Sequence, residues 1–453
     1  MSQPPESRSV PVGQAMVTFF THTYTRLMPE ESYAVPLDTL PDGLNALVQS
    51  VLAVKDQTFD FLLNDEYIAT SLQKFLRRRG ISSEELLNIE YTPALQVKDG
   101  SLLPHDDWVS SVRIPTSGVA DVLLTGSYDH CVRLWDGDRC LALGTFHNEC
   151  VKEVCVHPVL ASTSTNDAHV ASGSGQDRKR GRSTLLKDFN CLSCSKDGTV
   201  AAWRFSSQQE TLQPLGVVKV HTDGVDSVDV SPWSGEYVAS ASWDCTVKVF
   251  SWSQLTDSET APSAKAPLVS FTDHTRPVLS CRFSATQGAA LLYSAGLDGN
   301  VKCLDVETAV MQRQLGGDHA VQCLAVRPGG TSDLVIAACT DNRARLYDPR
   351  ASSSGVATKT FSGHKQWLYA AAWLWRSDEV ESHGGNFFAT ASEDATVRLW
   401  DLRCTTHALL TLDRLHTDGV LDLTYAGAGT IVSCGKDNST KSSQCTKGTE
   451  LLC

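Results

Sequence analysis

Apolar and polar positions alternate along most of this chain in short runs, as in Thr246-Val247-Lys248-Val249-Phe250 and Thr396-Val397-Arg398-Leu399-Trp400. Alternation of period two marks a strand with one face buried. The runs keep a fixed offset from an aspartate. Six segments carry an Asp followed six residues later by an aromatic or large apolar residue: Asp129 to Trp135, Asp197 to Trp203, Asp244 to Phe250, Asp298 to Leu304, Asp341 to Tyr347 and Asp394 to Trp400. Four of them close with a further aspartate, Asp136, Asp305, Asp348 and Asp401. Upstream of each lies a histidine before another apolar run: His105, His147, His221, His274, His319 and His364. A seventh unit opens at His416 and reaches Asp437. The shortest spacing between successive aspartates, 43 residues, fits the roughly 40–45 residues of one four-stranded repeat.

The first hundred residues do not follow this period. Met16 to Thr23 reads as a strand and Tyr33 to Leu37 as a second. Leu44, Leu47, Val48 and Val51 lie at helical spacing, with Asp42 placed to cap the helix. Phe59 to Leu63 reads as a strand that resumes at Tyr67-Ile68 after a turn. Ser71 to Arg79 reads as a short helix and Leu86 to Tyr91 as a last strand. Hairpin, helix, strand pair, short helix and strand, in that order, give a β-grasp layout in which the helix covers one face of a mixed sheet. The expected organisation is a disordered N-terminus over 1–13, an α+β domain over 14–95, a linker over 96–104, an all-β repeat region over 105–438 and an atypical tail over 439–453. The second repeat carries an insertion over about 159–188.

That tail breaks the pattern. Six residues after Asp437 stands Ser443, within the polar run Ser439-Thr440-Lys441-Ser442-Ser443-Gln444, which has little strand propensity. Either the terminal strand forms poorly, or the segment Trp108 to Ile114 supplies most of the closure.

Composition narrows the function. Of 453 residues, 42% are hydrophobic and 20% charged, ordinary for a globular protein. No apolar run approaches the roughly 18 residues of a membrane span, and Met1 to Ser9 carries no secretory signal, so an intracellular protein is expected. A net charge of −13 disfavours wholesale coating of nucleic acid, which needs a positive footprint. The 15 cysteines are scattered among apolar runs and read as small buried hydrophobes. Cys191 and Cys194 form an isolated CxxC without a second pair at zinc spacing, so no intrinsic metal or cofactor is expected. The insertion contains Arg178-Lys179-Arg180-Gly181-Arg182, a composition shared by nuclear-import signals, RNA contacts and plain solvated loops.

The repeat resembles the WD40 family from about Asp106 onward, with seven units. In that family the His, the turn Asp, a Ser or Thr and the terminal Trp form a hydrogen-bonded network in each blade. Here the pieces match at His364, Asp394, Ser392 and Trp400, and at His221, Asp244, Ser242 and Phe250. A Ser-His-Asp set invites a hydrolytic reading, but its recurrence in successive units favours a scaffold. Seven blades shield strand edges and present two loop-built faces, so a binding platform is expected and an enzyme is not.

The N-terminal domain resembles a ubiquitin-like domain of the NLE type, without the Gly-Gly end that conjugation requires. Asp60-Phe61-Leu62-Leu63, Thr70-Ser71-Leu72, Gly80-Ile81-Ser82-Ser83-Glu84-Glu85-Leu86-Leu87 and Ile89-Glu90-Tyr91 carry the likeness, followed by His105-Asp106-Asp107-Trp108-Val109-Ser110-Ser111-Val112. Together they resemble the WD-repeat subunits of the pescadillo (PeBoW) complex, which matures the large (60S) ribosomal precursor in the nucleolus and is needed for pre-rRNA processing. The resemblance implies that the propeller binds a WD-repeat partner in that complex. It also implies that the ubiquitin-like domain engages the MIDAS domain of midasin, an AAA-type ATPase that releases the factor from the pre-ribosome. A MIDAS cation accepts a visiting carboxylate, since Mg²⁺ prefers hard oxygen ligands. The family's acidic position falls at Glu84, with Glu85 as the alternative. Nucleolus and nucleoplasm are the expected locations, with rRNA contact secondary. A different class, a substrate receptor of a cullin-RING ubiquitin ligase, draws on Trp400-Asp401-Leu402-Arg403 and Tyr347-Asp348-Pro349-Arg350. There an Arg after the last strand would pair with adaptor carboxylates, or else with its own chain.

Overall fold

The computed structural model describes residues 13–21, 26–54, 57–64, 66–115, 122–158, 187–257, 266–286, 290–317, 319–328, 333–350, 355–374, 386–405, 407–427, 429–447 and 450–451. The basic run Arg178, Lys179, Arg180 and Arg182, nearly all of the insertion expected over 159–188, and residues 1–12 of the segment expected to be disordered lie outside the described residues.

In the N-terminal region, β1 (Gln14–Phe20) and β2 (Tyr33–Pro36) pair antiparallel. They are followed by α1 (Pro41–Leu52), β3 (Phe59–Leu63), β4 (Glu66–Tyr67), α2 (Leu72–Arg79) and β5 (Leu87–Pro93). The sheet order is β2-β1-β5-β3-β4, with β1 parallel to β5 and β3 antiparallel to it. Asp42 does not cap α1. The N-cap is Leu40, without a side-chain bond, and Pro41 opens the helix. Proline suits that place, because its φ is already helical and its missing N–H would have had no partner. Leu44 and Val48 of α1 are fully buried against Val17, Phe61, Ile89 and Tyr91. The Tyr91 hydroxyl donates to the Arg26 carbonyl at 2.7 Å and accepts the Met28 amide at 3.0 Å, so the loop after β1 is tied to β5.

Among the described residues, seven further antiparallel sheets follow, six of them four-stranded. Their innermost strands are Val109–Arg113, Val151–Val156, Val225–Val230, Val278–Phe283, Val321–Val326, Leu368–Trp373 and Val420–Gly427. Each packs against the innermost strand of the next sheet, and Val420–Gly427 packs against Val109–Arg113, which closes the cycle. Cores form between neighbouring sheets. Trp203 of the second sheet joins Leu124 and Leu134 of the first, while Val432 of the seventh joins Val112 and Trp135 of the first.

The closure differs from both expectations. The polar run does form a strand, Ser439–Lys447, and residues expected as a linker form β6 (Leu95–Pro104), which pairs with it. Trp108 to Ile114 instead contributes the innermost strand of the first sheet. The Ser101 amide donates to Ser442 Oγ at 2.8 Å and the His105 amide to the Asn438 carbonyl at 2.8 Å. Gly100 permits the approach, because a Cβ there would stand 2.1 Å from Ser442 Oγ. A strand paired on both edges gains its ladder whatever its propensity, and that context outweighs the polar composition.

One irregularity recurs in every innermost strand. The register shifts across its second residue: between Val109 and Ser111, Val151 and Glu153, Val225 and Ser227, Val278 and Ser280, Val321 and Cys323, Leu368 and Ala370, and Val420 and Asp422. A bulge adds one unpaired residue and re-aims its side chain. No helix among the described residues is long and apolar enough to cross a membrane.

Candidate functional site

The His–Asp sets come together unevenly. In the third, fourth, sixth and seventh sheets the ring Nδ1 meets the carboxylate directly: His221 to Asp244 at 2.8 Å, His274 to Asp298 at 2.8 Å, His364 to Asp394 at 3.0 Å and His416 to Asp437 at 3.0 Å. A carboxylate only accepts, so Nδ1 carries the proton and Nε2 accepts from a hydroxyl. That hydroxyl belongs to Ser240, Ser294, Thr390 and Ser433 respectively, at 2.8 to 2.9 Å. It stands four residues before the aspartate, not two. Ser242 and Ser392, the expected partners, accept the amides of Asp244 and Asp394 and donate to the Gly224 and Trp367 carbonyls. Residues two apart share one face of a strand, so the sequence alone leaves two equivalent hydroxyls.

The other sheets depart further. In the second, His147 Nδ1 reaches Thr199 Oγ1 at 3.0 Å, which donates to Asp197, while Nε2 meets Ser193 Oγ at 2.7 Å. In the first, His105 bonds Thr125 at 2.9 Å and the Leu103 carbonyl at 3.2 Å, and Asp129 pairs with Arg133 instead. In the fifth, Arg345 grips Asp341 through both nitrogens at 2.8 and 2.6 Å, and His319 stands 3.6 Å away, half exposed. The hydroxyl position there is Ala337, which offers the imidazole no inward hydrogen bond. His105 and His319 are therefore not joined to Asp129 and Asp341 as expected.

Trp135 and Trp203 each donate Nε1 to the network hydroxyl, at 3.0 Å to Thr125 and 2.8 Å to Ser193. Trp400 is buried at the equivalent place. Phe250, Leu304 and Tyr347 fill it elsewhere, and in the seventh sheet it holds Ser443, whose buried hydroxyl meets no partner among the described residues. Burial lowers the pKa of His105 to about 4 and also lowers His221 and His364. Although burial opposes ionisation, hydrogen bonds from His274 and neighbouring amides hold Asp298 at about 2. Asp197, Asp244, Asp394 and Asp437 are likewise held below the usual carboxylate range. Ser193, Ser240, Ser294, Thr390 and Ser433 are buried and out of reach of any substrate, so these sets are braces for their sheets.

A charged cluster on the inner strands was not anticipated. Glu153 Oε1 lies 2.5 Å from Nη2 of both Arg113 and Arg282, and Oε2 accepts from Ser227 Oγ at 2.7 Å. Arg113 also reaches Asp422 at 2.6 Å. Burial raises the Glu153 pKa, but the two guanidinium groups outweigh it and leave the carboxyl below its ordinary value. The signal lay in charges inside otherwise apolar first strands, such as Val-Lys-Glu-Val-Cys and Val-Leu-Ser-Cys-Arg. The bulged residues Ser110, Lys152, Asp226, Leu279, Gln322, Tyr369 and Leu421 line a cavity of about 240 Å³ above this cluster. On its rim Lys436 lies 5.1 Å from the Trp108 ring centre and 5.2 Å from that of Tyr369. Lys152 lies 5.2 Å from that of Tyr128. Cations over aromatic faces are attracted by the ring quadrupole.

On the N-terminal domain, α2 ends at Gly80, whose φ of 66° is left-handed, and the Ile81 amide returns to the Leu76 carbonyl at 3.1 Å. Ser82 and Ser83 do not begin a helix. Ser82 Oγ accepts the Glu84 amide at 3.2 Å in a tight turn, a local side-chain to backbone bond typical of serine. Glu84 and Glu85 are both exposed. Cys191 and Cys194 are buried in one strand, where burial raises both thiols. No group of three His, Cys, Asp or Glu among the described residues is placed to hold a metal ion. Arg403 Nε and Nη2 both donate to Asp401 Oδ2, at 3.0 and 2.7 Å, and Nε also reaches Oδ1 at 3.2 Å, so the ligase reading lacks a free guanidinium there.

The NLE (NUC135) domain family matches residues 15–76, and the WD domain, G-beta repeat family matches 98–136, 212–251, 265–305 and 355–401. The first WD match begins inside β6, in agreement with its place in a sheet. A ribosome biogenesis protein WDR12 homolog of Chlamydomonas reinhardtii is 31% identical over 91% of this chain and 92% of its own length. The chain belongs to the WDR12 family of ribosome biogenesis proteins. WDR12 homologs of Nematostella vectensis and of Oryza sativa subsp. japonica are each 29% identical, over 94% and 95% of this chain and 98% and 96% of their own lengths. In this WDR12 family member the WD matches leave out the three inner strands of the second and fifth sheets and the strands from Val420 onward in the seventh, stretches that hold the insertion, the displaced His319 and the polar last strand. An NLE domain followed by WD40 repeats is thus the architecture, and no enzymatic family is indicated.

Proposed function

We propose that this chain is a non-catalytic assembly factor of the 60S precursor, required for pre-rRNA processing in the nucleolus and nucleoplasm. Its repeat region acts as a seven-bladed WD40 propeller that binds a WD-repeat partner in the pescadillo complex. Its N-terminal domain acts as a ubiquitin-like, β-grasp handle for the MIDAS domain of midasin, with rRNA contact secondary. The sheet order β2-β1-β5-β3-β4 with α1 between β2 and β3 supports the β-grasp reading, and the closed cycle of seven sheets supports the propeller.

The observation that carries the release function is Glu84, an exposed carboxylate on a turn whose amide is pinned by Ser82. A hard divalent cation with an open position takes such an oxygen. Glu85 is the alternative ligand. The test is affinity purification with mass spectrometry on the full chain, on Glu84→Ala and Glu85→Ala, and on a chain lacking its first 95 residues. The expected result is loss of midasin with the deletion and with one point variant, while pescadillo and 60S proteins remain. Retention of the ATPase by all three refutes the handle.

A further inference from the structure

The N-terminal domain is acidic, with eleven Asp and Glu against six Lys and Arg over residues 14–95. Four of those six positive charges stand in one helix of eight residues, α2. Leu72, Phe75 and Leu76 bury its apolar face in the domain core. Lys74, Arg77 and Arg78 are exposed, and their i, i+3, i+4 spacing sets them on one stripe of the helix surface. Arg79 pairs closely with Glu66, while Arg78 stays 3.9 Å from that carboxylate. The stripe therefore presents charge that packing does not require, and among the described residues its one close carboxylate is Glu66, 3.9 Å from Arg78.

Its place matters. Gly80 and the bond from the Ile81 amide to the Leu76 carbonyl stop α2 and send the chain directly into the Glu84 turn. Four residues separate Gly80 from Glu84, so at 3.8 Å per residue they lie at most about 15 Å apart. A protein interface of ordinary size covers about 800 Å² on each partner, a disc of roughly 16 Å radius. One partner face is wide enough to span both the carboxylate and the basic stripe.

We infer that Lys74, Arg77 and Arg78 form a steering contact that delivers Glu84 to an acidic protein surface holding a divalent cation. The inference rests on the MIDAS reading above and adds to it the charge of the surface around the cation. Oxygen-ligand cation sites are themselves built from carboxylates, so a lone approaching glutamate on an acidic domain meets repulsion until it is at the ion. A positive stripe beside it reverses that field and raises the association rate in a salt-dependent way. A nucleic-acid role for the stripe is disfavoured by its size and by the acidic remainder of the domain, since phosphate binding needs a broader positive footprint.

The test measures association of the full-length chain with the isolated MIDAS domain by stopped flow, in Mg²⁺ and in chelator, across a salt series. The triple variant Lys74→Gln, Arg77→Gln, Arg78→Gln is expected to associate about tenfold more slowly at low salt. Its rate should converge with the parent's at high salt, and its binding should remain Mg²⁺-dependent. The charge-keeping variant Lys74→Arg, Arg77→Lys, Arg78→Lys should restore the parent rate, which separates charge from folding. An unchanged rate and salt slope in the triple variant overturns the inference, while loss of capture in Glu84→Ala leaves the MIDAS reading standing. Capture insensitive to both chelator and Glu84→Ala removes that reading and the inference with it. Unchanged MIDAS association together with lost binding of single-stranded RNA assigns the stripe to nucleic acid and also overturns it.

Discussion

Glu153 Oε1 on the second repeat sheet lies 2.5 Å from Arg282 Nη2 on the fourth, so the pair passes over the third. The same oxygen meets Arg113 of the first sheet. One carboxylate thereby joins three inner strands that sequence separates by 169 residues, from Arg113 to Arg282.

Removing that carboxylate leaves the Arg282 guanidinium without its main partner and Arg113 with Asp422 alone. Breaking a buried ion pair from one side costs about 3–5 kcal/mol. Glu153→Ala is expected to lower the unfolding free energy by that amount, read as a lower urea midpoint, with Arg282→Met costing less because Arg113 still compensates Glu153. A Glu153→Ala midpoint equal to the parent's would show that solvent already carries the charge.

The repeat braces should respond unequally. His364→Ala leaves Thr390 and Asp394 short of a partner in the interior, at about 1–3 kcal/mol. His319 is half exposed and stands 3.6 Å from Asp341, so His319→Ala should change stability by less than about 0.5 kcal/mol. Equal losses in the two variants, read by thermal unfolding, would contradict the displaced position of His319.

Acid should weaken the fold before the aspartates of the braces protonate. Burial holds His105 at about 4, against an ordinary 6.5, and lowers His221 and His364. Between those values the unfolded chain binds protons that the native rings refuse, so stability is complete above about pH 6.5 and declines toward pH 4. The aspartates, whose native values are depressed, add a further loss only below their unfolded value near 3.9. Urea midpoints measured at pH 7.5, 6 and 5 should fall in that order, and His105→Asn should make the slope shallower.

Ser443 carries a buried hydroxyl that meets no partner among the described residues. Ser443→Ala is expected to be neutral or to stabilise by up to about 1 kcal/mol, because an unpaired buried polar group is itself a cost. A clear loss of melting temperature would mean that the hydroxyl is bonded in solution.

The period of the repeat was legible because strand alternation and the Asp-to-aromatic offset recur in each unit. The N-terminal elements were legible from their apolar spacing, to within two residues at most ends, although the strand expected to reach Thr23 stops at Phe20. What the sequence concealed had physical causes. Ser240 and Ser242 share one strand face, so only coordinates decide which meets His221. The displacement of His319 follows from Ala337, a missing hydroxyl that a search for present motifs passes over. The Glu153 cluster joins strands from different repeats, and no local window relates them. Glu84 was found by family likeness alone, since the residues around it show a serine-pinned turn and nothing about its ligand.

Ser101 and Ser442 meet although 341 residues separate them, and this sets an order on biosynthesis. While the chain is still emerging from the ribosome, β6 exists long before its pairing strand and offers an open edge to any extended neighbour. The cycle can lock only once Ser439–Lys447 is made. Halting translation short of that segment should yield nascent chains prone to exchange strands with one another, whatever the soundness of their other six sheets.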